Sequence, residues 1–343
     1  MRVLVTGGAG FVGRQVCAEL LDLGADVRVV DVAPDAAGRV PAGVELVEGD
    51  LAEAAVADTA TEGVDAVCHQ AAKVGLGVDF GDAESYVHHN VTGTASLLGA
   101  LWRRSFASRL VLASSMVVYG EGRYRCGEHG LVTAGVRRPA DLDAGRFDPP
   151  CPHPGCHHDL AWAPVGEDAA TEPRNVYAAT KLHQEHLATM FGRASGAGVV
   201  ALRYHNVYGP GMPRDTPYSG VAAIFRSELV SGRAPQVNED GAQARDFVHV
   251  SDVARANVAA LTRAGVPSGA YNVASGTPRT VGELAGSLVR ALGSPLSPVV
   301  TGRWRPGDVR HIVASPHRAT EILGFSARVA FDDGMAELAL AGG

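Results

Sequence analysis

The sequence predicts an α/β fold: a doubly wound parallel (Rossmann) sheet with a smaller α+β substrate-binding lobe and a small metal-binding insert. Three observations predict the sheet. Short β-branched runs alternate with helical spacing through the first third of the chain. A glycine-rich turn, Thr6-Gly7-Gly8-Ala9-Gly10-Phe11-Val12-Gly13, follows the first run and opens a helix. Asp31 closes the second run, about 20 residues on, where a dinucleotide fold places its ribose-binding acid.

The runs Arg2–Val5, Val27–Val30, Val44–Val47, Ala66–His69, Arg109–Ala113 and Val199–Tyr204 are read as strands, each bounded by Gly or Asp as buried parallel strands are. Gly13–Leu23, Glu84–Trp102 and Asn175–Gly192 carry helical spacing. The stretch Gly120–Thr171, rich in Pro, Gly, Arg, His and Cys, has no strong apolar period. A segment this long inside a compact domain needs something else to order it. The expected division is an NAD-binding domain over 1–205, interrupted by an insert over 121–170 and rejoined by 236–256. The substrate lobe then takes 206–235 and 257–343.

The net charge of −7 is spread without a basic stripe, which argues against nucleic acid and membrane surfaces as partners. The first residues already read as a strand, not as a targeting segment, so a cytoplasmic location is expected. Five cysteines, an odd number, speak against a secreted disulfide framework.

Gly7, Gly10 and Gly13 supply a tight turn, close backbone approach to a pyrophosphate and close helix–strand packing. The phosphates belong on the helix N-terminus, beside Phe11 and Val12, where free N–H groups and the dipole favour anions. A carboxylate at Asp31 accepts ribose hydroxyls and repels a 2′-phosphate, which selects NAD over NADP. Asp50, before Leu51 and after the third strand, is placed to hold the adenine amino group. Tyr177 and Lys181 form Y-x-x-x-K at the start of a helix, on one face, so the ammonium is expected to approach the phenol. A phenol is a poor base at neutral pH unless nearby positive charge favours its phenolate. Ser115 ends the fifth strand, at the edge where such sheets bind ligands, and is placed to bridge Tyr177 and a substrate hydroxyl.

With these residues in place, the chain resembles the extended short-chain dehydrogenase/reductases, nearest the nucleotide-sugar epimerases and dehydratases. The resemblance rests on T-G-G-A-G-F-V-G, H-Q-A-A (69–72), N-V-T-G-T (90–94), S-S-M-V-V-Y-G (114–120), Y-A-A-T-K (177–181), R-Y-H-N-V-Y-G-P (203–210) and R-D-F-V-H-V-S-D (245–252). It covers nearly the whole chain outside Gly120–Thr171. It implies that Ala71 and Lys73 line the nicotinamide side and that Asn90 supports the neighbouring helix as part of the cofactor site. It further implies diphosphate contacts from Asn206 and Arg245, and diphosphate and nucleoside contacts from Arg305 and Asp308. Arg214 would touch a sugar substituent, and two helices from each subunit would pair in a homodimer.

The implied reaction is C4 inversion of a nucleotide-activated sugar, a UDP-sugar by preference, through a transient 4-keto sugar. Tyr177 serves as base and the NAD stays tightly bound. Dehydration and 3,5-epimerisation share the 4-keto intermediate and stand as alternatives, and an NAD sensor without turnover is a third. The first two call for an acid/base pair or a cysteine next to Ser115, where this chain has Met116 and Val117.

Within the insert, Cys126 and His129 are followed about 25 residues later by Cys151 and Cys156. Two close ligand pairs separated by such a loop have the spacing of a structural zinc ribbon. Cys126, His129, Cys151 and Cys156 are the expected ligands, with His153, His157 or His158 as alternatives for the fourth.

Overall fold

Seven parallel strands form the central sheet. Their spatial order is Gly269–Val273, Gly198–Tyr204, Arg109–Ser115, Ala66–His69, Arg2–Thr6, Asp26–Asp31, Glu45–Glu48. The computed structural model describes residues 1–75, 79–214 and 220–341. The order of the strands reverses between Arg2–Thr6 and Ala66–His69, so a crevice opens at the carboxyl ends of these two strands. Thr6 pairs with His69 and Val30 in register, which brings the glycine turn, Asp31 and Ala71 to one edge of the sheet.

The strands are apolar on both faces because helices cover both. On one face, the helices Phe11–Asp22 and Val250–Thr262 pack with Val3, Val5, Val29 and Val200. On the other, Gly93–Arg103 and Val176–Ser195 pack on Leu4, Val67, Leu110 and Leu112. The second of these helices carries Tyr177 and Lys181, which line one end of the crevice.

Two elements differ from the sequence reading. The expected helix Glu84–Trp102 is three pieces: an α turn Ala83–Tyr86, a π segment Val87–Thr92 and an α-helix Gly93–Arg103. The division between domains also lies elsewhere. Residues 257–273, expected in the smaller lobe, finish the helix Val250–Thr262 and add the edge strand Gly269–Val273 to the large sheet. The smaller lobe centres on a second core of Tyr208, Phe225, Leu229, Phe247, Leu284, Leu288 and Met335. It is reached through a three-stranded sheet of Asn206–Tyr208, Ala244–His249 and Pro278–Thr280.

The insert is a folded unit. Gly130–Thr133, Arg123–Cys126 and Leu160–Ala163 form an antiparallel sheet, and Pro139–Asp143 forms a single helical turn. Its core is small: Tyr124, Cys126, Val132, Ala134 and Cys151.

Candidate active site

The glycine turn is fixed by space. Gly7 has φ +68°, and a Cβ there would lie 2.7 Å from the backbone of Ala71. A Cβ on Gly13 would lie 2.1 Å from the Gly7 carbonyl oxygen. Larger residues would push the helix Phe11–Asp22 off the sheet. No side chain caps that helix, so its first N–H groups face the crevice available to an anion. Asp31 is oriented by two backbone donors, accepting from Ala9 N at 2.9 Å and from Ala33 N at 2.9 Å.

A cavity of about 740 Å³ runs along this crevice. At one end it is lined by Gly7, Gly10, Phe11, Val12, Gly13, Asp31, Asp50 and Leu51. At the other it is lined by Ala71, Lys73, Ser115, Tyr177 and Lys181. Residues drawn from six separate stretches of sequence therefore meet along one surface. Asp50 accepts from Ala52 N at 2.9 Å and lies 2.8 Å from His88 Nε2. Burial opposes its ionisation, but these partners hold its carboxyl below the ordinary value. Arg39, which sequence reasoning did not single out, also lines the adenosine end, with its guanidinium on Asp35 at 2.8 Å.

Asn90, expected within the cofactor site as a support for the neighbouring helix, is fully buried and does not itself line the cavity. Its oxygen accepts from Lys73 N at 2.7 Å, and its amide donates to Lys73 O at 3.0 Å and to Thr180 Oγ1 at 2.9 Å. It ties the loop holding Lys73 to the helix holding Tyr177, and it does so from the π segment, where one extra residue per turn re-aims the side chain. Lys73 Nζ turns to Asp82 at 3.2 Å and Ser85 at 3.1 Å.

Tyr177 and Lys181 sit on the first turns of Val176–Ser195, a helix started by Asn175, whose side chain accepts from Ala178 N at 2.8 Å. Lys181 Nζ donates to the Ala113 carbonyl at 2.9 Å and lies 6.0 Å from the Tyr177 ring centre. The expected approach of ammonium to phenol is thus looser than the spacing suggested. Burial pushes the Tyr177 phenol up to about 12, against a hydrogen bond with Ser115 that favours the phenolate. Burial also pulls Lys181 down to about 7, opposed by Glu185. Glu185 is a residue the sequence reading missed. It receives Ser114 Oγ at 2.5 Å and both arms of Arg203, at 2.9 and 2.8 Å. Its position one turn beyond Lys181 was the available signal.

The expected substrate contacts fall in a different place. Asn206 Oδ1 is buried without a partner, which leaves an acceptor to be satisfied. Arg214 is half-buried and follows Met212 and Pro213, which line the cavity, and residues 215–219 of the same loop lie outside the described residues. Arg245, Arg305 and Asp308 do not line the cavity. Arg245 is committed largely to the backbone, donating to Ala244 O at 2.9 Å, Arg310 O at 2.8 Å and Val309 O at 2.7 Å. Arg305 is exposed, and Asp308 is half-buried close enough to both arginines to feel their charge. Burial raises the Asp308 carboxyl, and the two arginines oppose that shift.

In the insert, the ligand atoms of Cys126, His129, Cys151 and Cys156 all lie within 4.8 Å of one another. Cys126 Sγ is 3.6 Å from His129 Nδ1 and 3.6 Å from Cys156 Sγ, and Cys151 Sγ is 3.7 Å from His129 Nδ1. His153 stacks on the His129 ring at 3.9 Å without joining the cluster.

The chain is similar throughout its length to known proteins. Residues 3–133 and 157–274 match the family described as the NAD dependent epimerase/dehydratase family, and the gap falls inside the insert. A dTDP-L-rhamnose 4-epimerase of Burkholderia thailandensis is 32% identical over 98% of this chain and 93% of its own. A dTDP-glucose 4,6-dehydratase of Streptomyces niveus is 30% identical over 98% of this chain and 91% of its own. The crystal structure of Thermus thermophilus UDP-glucose 4-epimerase in complex with NAD superposes with a TM-score of 0.78 at 29% identity, covering 99% of this chain and 98% of that one. With the glycine turn, Asp31 and the Ser115–Tyr177–Lys181 group set along one crevice, and with both halves of the sequence matched, the chain belongs to the NAD dependent epimerase/dehydratase family.

Proposed function

We propose that this protein is a nucleotide-sugar 4-epimerase that inverts C4 of a UDP- or dTDP-linked hexose through a transient 4-keto sugar. The observation that carries this reading is the composition of the cavity's redox end. Among the described residues it holds Lys73, Ser115, Tyr177, Lys181, Tyr204 and His205 and no carboxyl or thiol; the lining carboxyls, Asp31 and Asp50, sit at the opposite end. Elimination of water needs a further acid/base pair, and Met116 and Val117 beside Ser115 supply none. His205 is held neutral by burial, its ionisation lowered to about 3.

NAD, held by the glycine turn, Asp31 and Asp50, would supply the hydride acceptor and donor for C4 and a positive ring near the phenol. Tyr177 takes the proton of the 4-hydroxyl and gives it back. Ser115 bridges the phenol and that hydroxyl. Lys181, anchored on Ala113 O, places positive charge on the phenol side of the helix. Incubation of the NAD-loaded protein with UDP-glucose, UDP-glucuronate, UDP-N-acetylglucosamine and dTDP-L-rhamnose, followed by NMR of the products, tests the reading. At least one C4-inverted sugar is expected; none from any substrate overturns it.

We further infer that Cys126, His129, Cys151 and Cys156 hold one structural zinc ion. Bonds of about 2.3 Å to sulfur and 2.0–2.1 Å to nitrogen in a tetrahedron set neighbouring donors roughly 3.5–3.8 Å apart. The contacts of 3.6, 3.6 and 3.7 Å fit that spacing. Four protein donors fill the coordination shell, so the ion would serve folding and not catalysis. About one zinc per chain is expected by elemental analysis, falling on Cys126→Ser. Free thiols of this kind need a reducing compartment, which supports a cytoplasmic enzyme. A homodimer through the helices Gly93–Arg103 and Val176–Ser195 is supported by Trp102 and Met190, large side chains about half exposed on those helices.

A further inference from the structure

We propose that the insert is a positioning device for the nucleotide end of the site. It holds the segment 304–311, which carries Arg305 and Asp308, where a nucleoside diphosphate is gripped, and Arg137 is its central positioning residue. The proposal rests on the nucleotide-sugar reading above.

Residues 303–310 form neither helix nor strand, so their backbone groups need partners from outside. The insert provides several of those at the 308–311 end, and Arg245 takes the carbonyls of Val309 and Arg310. Gly122 N donates to His311 O at 3.1 Å, and a Cβ on Gly122 would lie 2.1 Å from that oxygen. Glu121 accepts from Arg310 N at 2.8 Å and from the Tyr124 hydroxyl at 2.7 Å, and that hydroxyl accepts from His311 N at 3.2 Å. Arg137 donates to Asp308 O at 2.7 Å. Asp148 takes Arg310 Nε at 2.9 Å and lies 3.0 Å from His311 Nε2. At the surface, Asp143 accepts from Trp304 Nε1 at 2.9 Å.

The charges knit the two parts together. Arg137 and Arg310 meet on Glu239 at 2.8 and 3.0 Å, with all three side chains at most 4% exposed. Glu239 holds φ +53°, a conformation that side-chain-bearing residues adopt only when their surroundings impose it. Losing one member of a buried ion group leaves the others uncompensated, so the arrangement resists partial loosening.

The candidate metal ligands stand next to these contacts. Tyr124 is two residues from Cys126 on one strand, and Asp148 is three residues from Cys151. Two of the stretches of insert that touch 304–311 therefore run directly into the cysteine cluster, and Arg137 and Asp143 lie on the chain between them. Fixing the cluster fixes Tyr124 and Asp148, and through them Arg310 and His311, while Arg137 holds Asp308 from the same folded unit. No insert residue after Gly120 lines the cavity, so the effect belongs to nucleotide grip and not to the redox step.

The test uses the full-length, NAD-loaded protein with UDP and dTDP as probes. Arg137→Ala is expected to raise the dissociation constant for the favoured diphosphate about tenfold or more. KM for the active nucleotide sugar should rise by a similar factor, with kcat within about twofold and NAD content unchanged. Removing the metal with a chelator should weaken the diphosphate in the same direction. Arg137→Lys and the surface variant Asp143→Asn cover the case in which Arg137→Ala fails to fold, and each should loosen binding by a smaller, measurable factor. Unchanged diphosphate affinity in the folded variants, or a loss confined to kcat, overturns the proposal alone. Wild-type protein that binds neither UDP nor dTDP overturns it together with the substrate reading.

Discussion

At the scale of single residues, burial works against both charged forms at the reacting end. The phenol of Tyr177 is pushed up to about 12 and the amine of Lys181 down to about 7. The consequence for Lys181 has a definite sign. Between about pH 7 and its ordinary value of 10.5, the unfolded chain binds a proton that the folded chain does not, so this residue makes the fold more stable as pH rises through that window. Lys181→Met removes the effect. Its melting temperature relative to wild type should be highest near pH 7 and decline toward pH 10; a difference flat with pH would show that Lys181 titrates normally. Tyr177→Phe removes the proton carrier without removing the ring. A loss in kcat of about 10²–10⁴ is expected, with the NAD still bound, as read by cofactor content after desalting. Asp31, Tyr177, Lys181 and the glycines were legible from sequence because each has a fixed offset from a turn or a helix start. The helix that Asn90 supports was legible through the resemblance, but the backbone groups that Asn90 and Arg245 grip were not, since they come from other parts of the chain.

At the scale of elements, the helix Val176–Ser195 depends on its first residue. Asn175 satisfies an N–H that would otherwise be orphaned two residues past Val176. Asn175→Ala should cost about 1 kcal/mol of stability. Because Tyr177 lies in that same turn, kcat should also fall while KM changes little, as steady-state kinetics would read. The long apolar strands were legible because burial on both faces leaves a continuous apolar run. Gly269–Val273 was not: its Gly-Ala-Tyr-Asn-Val has a buried asparagine in it, whose side chain serves Val165 O and Tyr119. The insert's strands were also invisible. They are four residues each, and the exposed Arg125 and Trp162 break up any apolar run. What marked the insert was its ligand spacing, which is a covalent-distance constraint and not a periodic one.

At the scale of the molecule, Trp102 and Met190 stand 55% and 50% exposed on adjoining helices. Apolar side chains so placed are candidates for a subunit interface. Trp102→Glu is expected to shift the protein from dimer to monomer in size-exclusion chromatography with light scattering, with the Tyr177 site intact. The sheet order has a consequence for synthesis. Arg109–Ser115 sits between Ala66–His69 and Gly198–Tyr204, yet its second neighbour is some 80 residues later in the chain. At roughly 5–20 residues per second, a ribosome leaves that apolar edge open for about 4–16 s. The insert is made during that interval. With its own small core and its cysteine cluster, it can collapse locally while the edge waits, so the segment that lengthens the delay is also one that does not compete for the open strand.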